Sequence, residues 1–464
     1  MTDLKNIKGI CFIGIGGIGM SALAMYFVRQ GISVAGYDRT ETFLTRSLRD
    51  SGCEITYNDT PVTLPLMFRS PEFRNKVLVV YTPAIPEENQ ILAFFRENNY
   101  SIYKRSEILG EISSHTKTLA VAGTHGKTTV SAMTAHLLKQ SHLDCTAFLG
   151  GISKNYNSNL IIGKGAYTVV EADEFDRSFH RLSPVMAVIT SVDADHLDIY
   201  GDHQKMIDAY NEFCTKIKKG GKLFVNNRIR DRISVTREVE RYTYGNSNDC
   251  DFRYSNVIHK QDHYSFSIQT PGSSIEDLHS TLPGIINIEN LTAAIAVALS
   301  CGVTETEIRN AAGLFQGVRR RFDIRINTPG IAYVDDYAHH PEEIRTCIAS
   351  LKEFFPGRRI TGIFQPHLFT RTRDHADGFA AILDQLDETI LLPVYPARER
   401  PIPGITSELI FNKMNSRNKK IMNMDQVPEN LDIAALDVIV TIGAGDIDRL
   451  VEPIEEKIQG YLKQ

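Results

Sequence analysis

The 464 residues contain no tryptophan, and cysteine is sparse: seven, at 11, 53, 145, 214, 250, 301 and 347, an odd number with no C-x-x-C pair. That scatter excludes a disulfide framework and a thiolate zinc site; it fits reduced thiols in a cytoplasmic protein, each a small core residue. A long basic run is also missing and the net charge is only −5, which excludes nucleic acid as an expected partner. There is no low-complexity tract and no repeat of about 20–50 residues, so a solenoid is excluded. Uncharged length is short as well. The stretch Gly9–Val28 carries no charge, but five glycines, a strand–turn–helix pattern and the absence of an A-x-A-like cleavage site argue against a membrane span or signal anchor.

What is there reads as α/β throughout. At about 150 residues per domain, the length predicts three domains, placed at 1–112, 113–318 and 319–464. The first alternates short apolar strands (10–13, 33–37, 77–81) with helical stretches and ends in the amphipathic 105–112. The second has strands at 118–122, 167–170, 186–190 and 222–225. Residues 241–270, dense in Tyr, Asn, Asp and Ser, predict an antiparallel excursion, followed by a helix over 290–300 and a connector over 313–321. The third has strands at 331–334, 360–364, 389–393 and 438–442. Strand–helix alternation implies mostly parallel sheets with ligands at the carboxyl ends of the strands. The expected architecture is a Rossmann-like N-terminal domain, a central P-loop ATPase-type domain and a C-terminal Rossmann-like domain.

Two glycine motifs carry the chemistry. In Val121-Ala-Gly-Thr-His-Gly-Lys-Thr-Thr-Val130 an apolar strand ends in a tight turn, and Gly126-Lys127-Thr128 opens a helix predicted from Thr129 to about Lys139. Backbone N–H groups and a helix N-terminus then converge on one spot, a site for a polyphosphate. Lys127 reaches the β/γ-phosphates and the Thr128 hydroxyl ligates Mg²⁺. The first glycine is Gly123, with valine at 121, so the loop is shorter than in most nucleotide hydrolases. This chain is expected to bind ATP. The earlier motif, Gly14-Ile-Gly-Gly-Ile-Gly19, follows one strand, and a second strand ends at Asp38, where an acid usually holds a ribose. An NAD pyrophosphate or a UDP-sugar satisfies those glycines equally.

Further strand ends carry acids, histidines and arginines. The strand ending at Val170 runs into Glu171-Ala-Asp-Glu174, where Glu171 can hold Mg²⁺ while Asp173 and Glu174 are explained as an acidic helix N-terminus. His196 sits in Asp193-Ala-Asp-His-Leu-Asp198 and is a candidate metal ligand. Asp335-Asp-Tyr-Ala-His-His-Pro341 and Gln365-Pro-His-Leu-Phe-Thr-Arg-Thr-Arg373 follow strands of the third domain, and Arg371 and Arg373 suit a small carboxylate.

These motifs, with Arg320-Arg-Phe-Asp323, Tyr395-Pro-Ala-Arg-Glu399 and Gly443-Ala-Gly-Asp446, follow one another in an order that resembles the Mur ligases from end to end. Those enzymes build the peptide of bacterial cell-wall precursors, and the first loop and the Asp-Asp-Tyr-Ala-His-His-Pro string are most similar to the alanine-adding branch. The resemblance implies UDP-N-acetylmuramate and L-alanine as substrates. Gly16, Gly17 and Ile18 would meet the pyrophosphate, Asp38 the uridine, and Thr82 would lie on a second contact loop. It implies ATP on Gly123, Thr124, His125, Gly126, Lys127, Thr128 and Thr129, with Mg²⁺ at Thr128, Glu171 and His196. Asn290 would border the adenine, Asp336 the ribose and Arg321 the γ-phosphate. Tyr337, His339, Arg371 and Arg373 would receive the amino acid, with His339 or His196 accepting the amine proton. Domain closure would assemble the site, and the enzyme would be a monomer or homodimer.

Two positions depart from the family. Ile286 replaces a histidine usual before the adenine helix, and the count to a carbamoylated lysine found in several relatives lands near Asn211. The alternatives are a ligase that recycles a preformed tripeptide onto the same sugar nucleotide, an NAD-dependent oxidoreductase that leaves Lys127 unexplained, and a non-catalytic ATP-binding regulator.

Overall fold

The computed structural model describes residues 6–194, 197–260, 263–397 and 399–463. Three sheets build the three-domain α/β architecture, one after another along the chain. The first is β1 (Gly9–Ile13), β2 (Ser33–Tyr37), β3 (Glu54–Thr56), β4 (Val77–Tyr81) and β5 (Ser101–Lys104), all parallel in the order β3-β2-β1-β4-β5. All five residues of β1 are buried, which is why it reads as a continuous apolar run and sits at the centre.

The second sheet has ten strands: β6 (Lys117–Ala122), β7 (Cys145–Ser153), β8 (Ser158–Ile161), β9 (Tyr167–Glu171), β10 (Met186–Ile189), β11 (Lys222–Asn226), β12 (Glu240–Gly245), β13 (Phe252–His259), β14 (Tyr264–Thr270) and β15 (Ser273–Ser280). Their order is β15-β14-β13-β12-β11-β10-β6-β9-β7-β8. The antiparallel excursion is real but starts later than expected. β12 pairs parallel with β11, and only β13–β15 form the antiparallel meander, reaching Ser280. Alternation of side chains reports a strand and not its direction, so the two cannot be told apart in the sequence. The helix expected at 290 begins earlier, spanning Ile285–Cys301 after Gly284 at φ +86°.

The third sheet, β16 (Asp323–Asn327), β17 (Ala332–Asp336), β18 (Ile360–Phe364), β19 (Glu388–Leu391), β20 (Lys419–Ile421) and β21 (Val438–Ile442), has the order β16-β17-β21-β18-β19-β20. Only β16 runs antiparallel.

The chain up to Thr281 with Ile288–Gln316 forms one compact unit; Leu282–Asn287 with Gly317–Gln464 forms another. Within the first unit the first two sheets share a core. Tyr26, on the helix Ile18–Arg29 that follows β1, packs its ring 5.4 Å from Phe148 of β7. Beside it, Asn159 Nδ2 donates to Ile18 O at 2.6 Å and to Ser21 Oγ at 2.9 Å. No helix among the described residues is long and apolar enough to cross a membrane, and all seven cysteines are free of disulfides.

Candidate active site

Topology places the functional loops. In each sheet a central strand lies between two parallel neighbours, so three loops meet at the carboxyl ends, the position where open α/β sheets bind ligands. β6 has β10 on one side and β9 on the other. The loop 123–126, Glu171 and Thr190 therefore come side by side.

Gly123 (φ +133°) and Gly126 (φ +82°) adopt conformations that L side chains rarely reach, and a Cβ at Gly123 would lie 2.1 Å from Thr190 Oγ1. The left-handed Gly126 is itself the N-cap, so the helix begins at Lys127 (Lys127–Lys139), two residues before the expected Thr129. The residues after β10 pin the loop. Thr190 Oγ1 donates to His125 O at 2.5 Å, Ser191 Oγ accepts from His125 N at 2.8 Å, and Thr124 Oγ1 accepts from Asp193 N at 3.0 Å. His125 Nε2 lies 3.6 Å from Asp193 Oδ2. Thr190 and Ser191 were not distinguishable as site residues in the sequence; their position directly after a strand was the only signal.

Thr128 Oγ1 donates to Glu171 Oε1 at 3.1 Å, while Glu171 Oε2 accepts from Gly150 N at 3.0 Å. Asn290 also arrives here: its Oδ1 lies 3.1 Å from the position of a Cβ on Gly126. Thr129 continues the first turn of the helix. His196 lies outside the described residues. Among the described residues no group of three or more His, Cys, Asp or Glu side chains is gathered for a metal.

Glu174 stands at a helix N-terminus as expected, being the N-cap of the 3-10 helix Phe175–Arg181, but it does more than begin that helix. It is 1% exposed and pairs with Lys127 Nζ at 2.8 Å. Burial pushes its carboxyl up to about 7 against the pull of Lys127. For Lys127, burial works against the ammonium, but Glu174, Glu171 and Asp173 outweigh it and hold the pKa above the ordinary value.

The first sheet repeats the arrangement. β1 lies between β2 and β4, which brings together the loop after Ile13, Asp38 and Thr82. Gly16 N donates to Asp38 Oδ2 at 2.7 Å, and a Cβ at Gly14 (φ +87°) would lie 2.8 Å from Thr82 Cγ2. Gly17 is the N-cap of the helix that starts at Ile18, so a helix N-terminus opens here too. Arg105, not anticipated as a site residue, reaches this helix: its Nη1 lies 2.5 Å from the position of a Cβ on Gly19.

In the third sheet β21 lies between β17 and β18. Asp336, ending β17, accepts from Phe322 N and Ala338 N, each at 2.7 Å. Burial raises its carboxyl to about 6, with Arg321 pulling the other way. Arg321 sits 5.0 Å over the Tyr337 ring. The Tyr337 ring meets that of His339 edge-on at 5.4 Å, and His339 faces His367 at 5.9 Å. Arg371 Nη1 is 3.3 Å from His367 Nδ1. The fold thus links Arg321, Tyr337, His339, His367 and Arg371 in a chain of contacts, each residue touching the next. Arg373 does not join them: half its side chain is exposed, and its Nε donates to Asp374 Oδ1 at 2.7 Å. Both arginines lie on a short helix, Phe369–Asp374, rather than on the strand end itself. Asn211, at the position counted for a modified lysine, is structural: it accepts from Ser234 N at 2.8 Å and donates to Arg232 O at 3.2 Å.

Comparison with known proteins agrees with this architecture along the whole chain. Three family profiles match in succession: "Mur ligase family, catalytic domain" over residues 9–117, "Mur ligase middle domain" over 121–298 and "Mur ligase, glutamate ligase domain" over 320–445. UDP-N-acetylmuramate–L-alanine ligases of Parabacteroides distasonis and Phocaeicola vulgatus are 46% and 44% identical, covering 98% and 97% of this chain and 98% of each relative. The crystal structure of UDP-N-acetylmuramate–alanine ligase from Thermotoga maritima superposes with a TM-score of 0.83 at 27% identity, over 98% of this chain and 99% of that one. A murein peptide ligase from Psychrobacter arcticus shares the fold, with a TM-score of 0.72 at 21% identity over 97% of this chain and 98% of that one. With 46% identity along almost its entire length and all three domain profiles in order, the chain belongs to the Mur ligase family.

Proposed function

We propose that this protein joins L-alanine to the lactyl carboxylate of UDP-N-acetylmuramate at the expense of ATP, a step of peptidoglycan precursor synthesis. The observation that carries this reading is the full-length identity of 46% to a UDP-N-acetylmuramate–L-alanine ligase. The domains are taken as 1–112 for the UDP-sugar, 113–318 for ATP and 319–464 for the amino acid. The setting is cytoplasmic and the enzyme a monomer or homodimer.

The carboxylate attacks the γ-phosphorus of ATP, giving an acyl phosphate and ADP; the uncharged amine of L-alanine then attacks the acyl carbon and inorganic phosphate leaves. Positioning and electrostatics supply most of the catalysis of phosphoryl transfer. Lys127 and Arg321 are assigned to the charge on the transferring group. The loop amides at Gly123–Thr129 cradle the phosphates, Asn290 borders the adenine and Asp336 takes the ribose. Gly16, Gly17, Ile18, Asp38 and Thr82 receive the sugar nucleotide. Thr128 and Glu171 fit Mg²⁺, because a hydroxyl and a carboxylate 3.1 Å apart are both hard oxygen donors; Mg²⁺ bound there would neutralise phosphate charge. Tyr337, His339, Arg371 and Arg373 are assigned to the amino acid. His339 Nδ1 lies 3.0 Å from the acceptor Tyr337 O, which favours the Nδ1–H tautomer and makes Nε2 the basic nitrogen for the amine proton.

Phosphate release tests the assignment. With UDP-N-acetylmuramate, ATP and Mg²⁺, L-alanine should support turnover well above serine, glycine or tripeptide. Preferred use of tripeptide would make this a recycling ligase. Saturable NADH binding displaced by the sugar nucleotide would revive the oxidoreductase reading of the first loop.

A further inference from the structure

An ammonium group has three N–H donors, and three acceptors surround Lys127 Nζ: Gly123 O, Thr124 O and Glu174 Oε1. A lysine so occupied has no donor left for a phosphate unless one partner gives way. The two carbonyls belong to the loop itself, which Thr190 and Ser191 hold in place through His125. Glu174 is the exchangeable partner, since only it is a side chain.

Its environment is built for holding a cation. The carboxylate is buried, and its Oε2 has no hydrogen-bond partner among the described residues. The Glu174 carbonyl accepts from the Tyr200 hydroxyl at 2.6 Å, and the preceding Asp173 accepts from Arg105 Nη2 at 3.0 Å. Two and three residues beyond Glu174 the chain turns through Asp176 and Arg177, both at φ +53°, a conformation that costs energy for side chains of this kind. A mobile surface ion pair has none of these supports.

We infer that Glu174 is a positioning residue that stands in for the nucleotide's terminal phosphate: it holds Lys127 in the nucleotide-free enzyme and yields it when ATP binds. The inference rests on the ATP-binding reading above and adds an internal competitor to it. A fixed carboxylate beside the phosphate site also repels the incoming charge, so the competitor lowers nucleotide affinity in exchange for an ordered empty loop.

The test is calorimetric titration of the whole protein with AMP-PNP and Mg²⁺ at about pH 8, above the value of about 7 to which burial lifts the Glu174 carboxyl, for wild type, Glu174→Gln and Glu174→Asp. Glu174→Gln removes the charge at constant shape and should lower the Kd about three- to tenfold, the order expected for one like charge a few ångströms away under water-like screening. Glu174→Asp keeps the charge but withdraws it by one methylene, and should lower the Kd by about twofold. Lys127→Met should raise it. A gain of affinity is not produced by structural damage, and the KM for ATP should fall with the Kd while the KM for UDP-N-acetylmuramate stays put. An unchanged or weaker Kd in a Glu174→Gln protein that melts like wild type overturns the inference, because Glu174 is then a permanent anchor. If Glu174→Gln fails to fold, the same result in Glu174→Asp overturns it. A shifted Kd without alanine-dependent phosphate release in wild type sinks the ligase assignment and leaves the competitor standing. Ligase turnover with an unshifted Kd does the reverse, and a wild type that binds no AMP-PNP removes both.

Discussion

Arg371 and Arg373 lie two positions apart on one helix, and two helical steps turn a side chain by about 200°. One therefore joins the His367 cluster while the other pairs with Asp374 at the surface. A charge-assisted contact to the substrate carboxylate is worth roughly 1.5–3 kcal/mol. Arg371→Ala should accordingly raise the KM for L-alanine about ten- to a hundredfold, and Arg373→Ala should raise it much less. Steady-state kinetics in alanine and ATP checks both; a collapse of ATP affinity instead would assign Arg371 to the phosphates. Asp335, next to Asp336, supplies a second test at this scale. Burial lifts its carboxyl from 3.8 to about 6, against the pull of Arg320 and the hydrogen bond from Thr441. A raised carboxyl stabilises the fold only while protonated. Its contribution is complete below the unfolded value near 4 and is lost as pH rises through 6, on the order of 3 kcal/mol in all. Relative to wild type, Asp335→Asn should therefore gain stability between about pH 4 and pH 7. Hydrogen exchange of Ala332–Asp336 at the two pH values reads that difference.

Helix starts in this chain are satisfied from outside as well as from within. The helix Gln90–Glu97 has Asn89 as N-cap, accepting from Leu92 N at 2.8 Å. Asp59, 30 residues upstream, covers its other open donors: Oδ2 accepts from Gln90 N at 3.0 Å, and Oδ1 from Ile91 N at 3.1 Å and from the Asn89 amide at 2.8 Å. Removing it leaves two N–H groups without an acceptor and loses a negative charge at the positive end of the helix. Asp59→Ala should cost about 1–2 kcal/mol, seen as a lower urea midpoint with an unchanged slope. Asn89 is recognisable as a cap from the sequence because caps are local. Asp59 is not, since only the fold brings it to that helix.

At the scale of the molecule, the first two sheets behave as one body through Tyr26 and Phe148. Phe148 is 5% exposed, and deleting a buried aromatic typically costs about 3–5 kcal/mol. Phe148→Ala should lower hydrogen-exchange protection of Gly9–Ile13 and Lys117–Ala122 together. Loss confined to the second strand would mean that the two sheets are energetically separate.

The α/β class, the order along the chain of the chemistry-bearing strands and the family were legible without coordinates, because glycines in left-handed turns, apolar strands and acids at strand ends are local signatures. The phosphate loop with Lys127, the Asp38 acid after β2 and Glu171 at the end of β9 are all of this kind. The parallel pairing of β12, at the start of the expected antiparallel excursion, was not, since a period of two is the same in parallel and antiparallel strands. Nor was the partner of any charge. Glu174 reads as an ordinary acid beside Glu171, and Arg105 as an ordinary helix start. What the amino-acid sequence determined by itself was which residues end which strands. Which of those ends become neighbours was decided by the tertiary structure, because pairing β6 between β9 and β10 is a long-range event that no window of sequence contains.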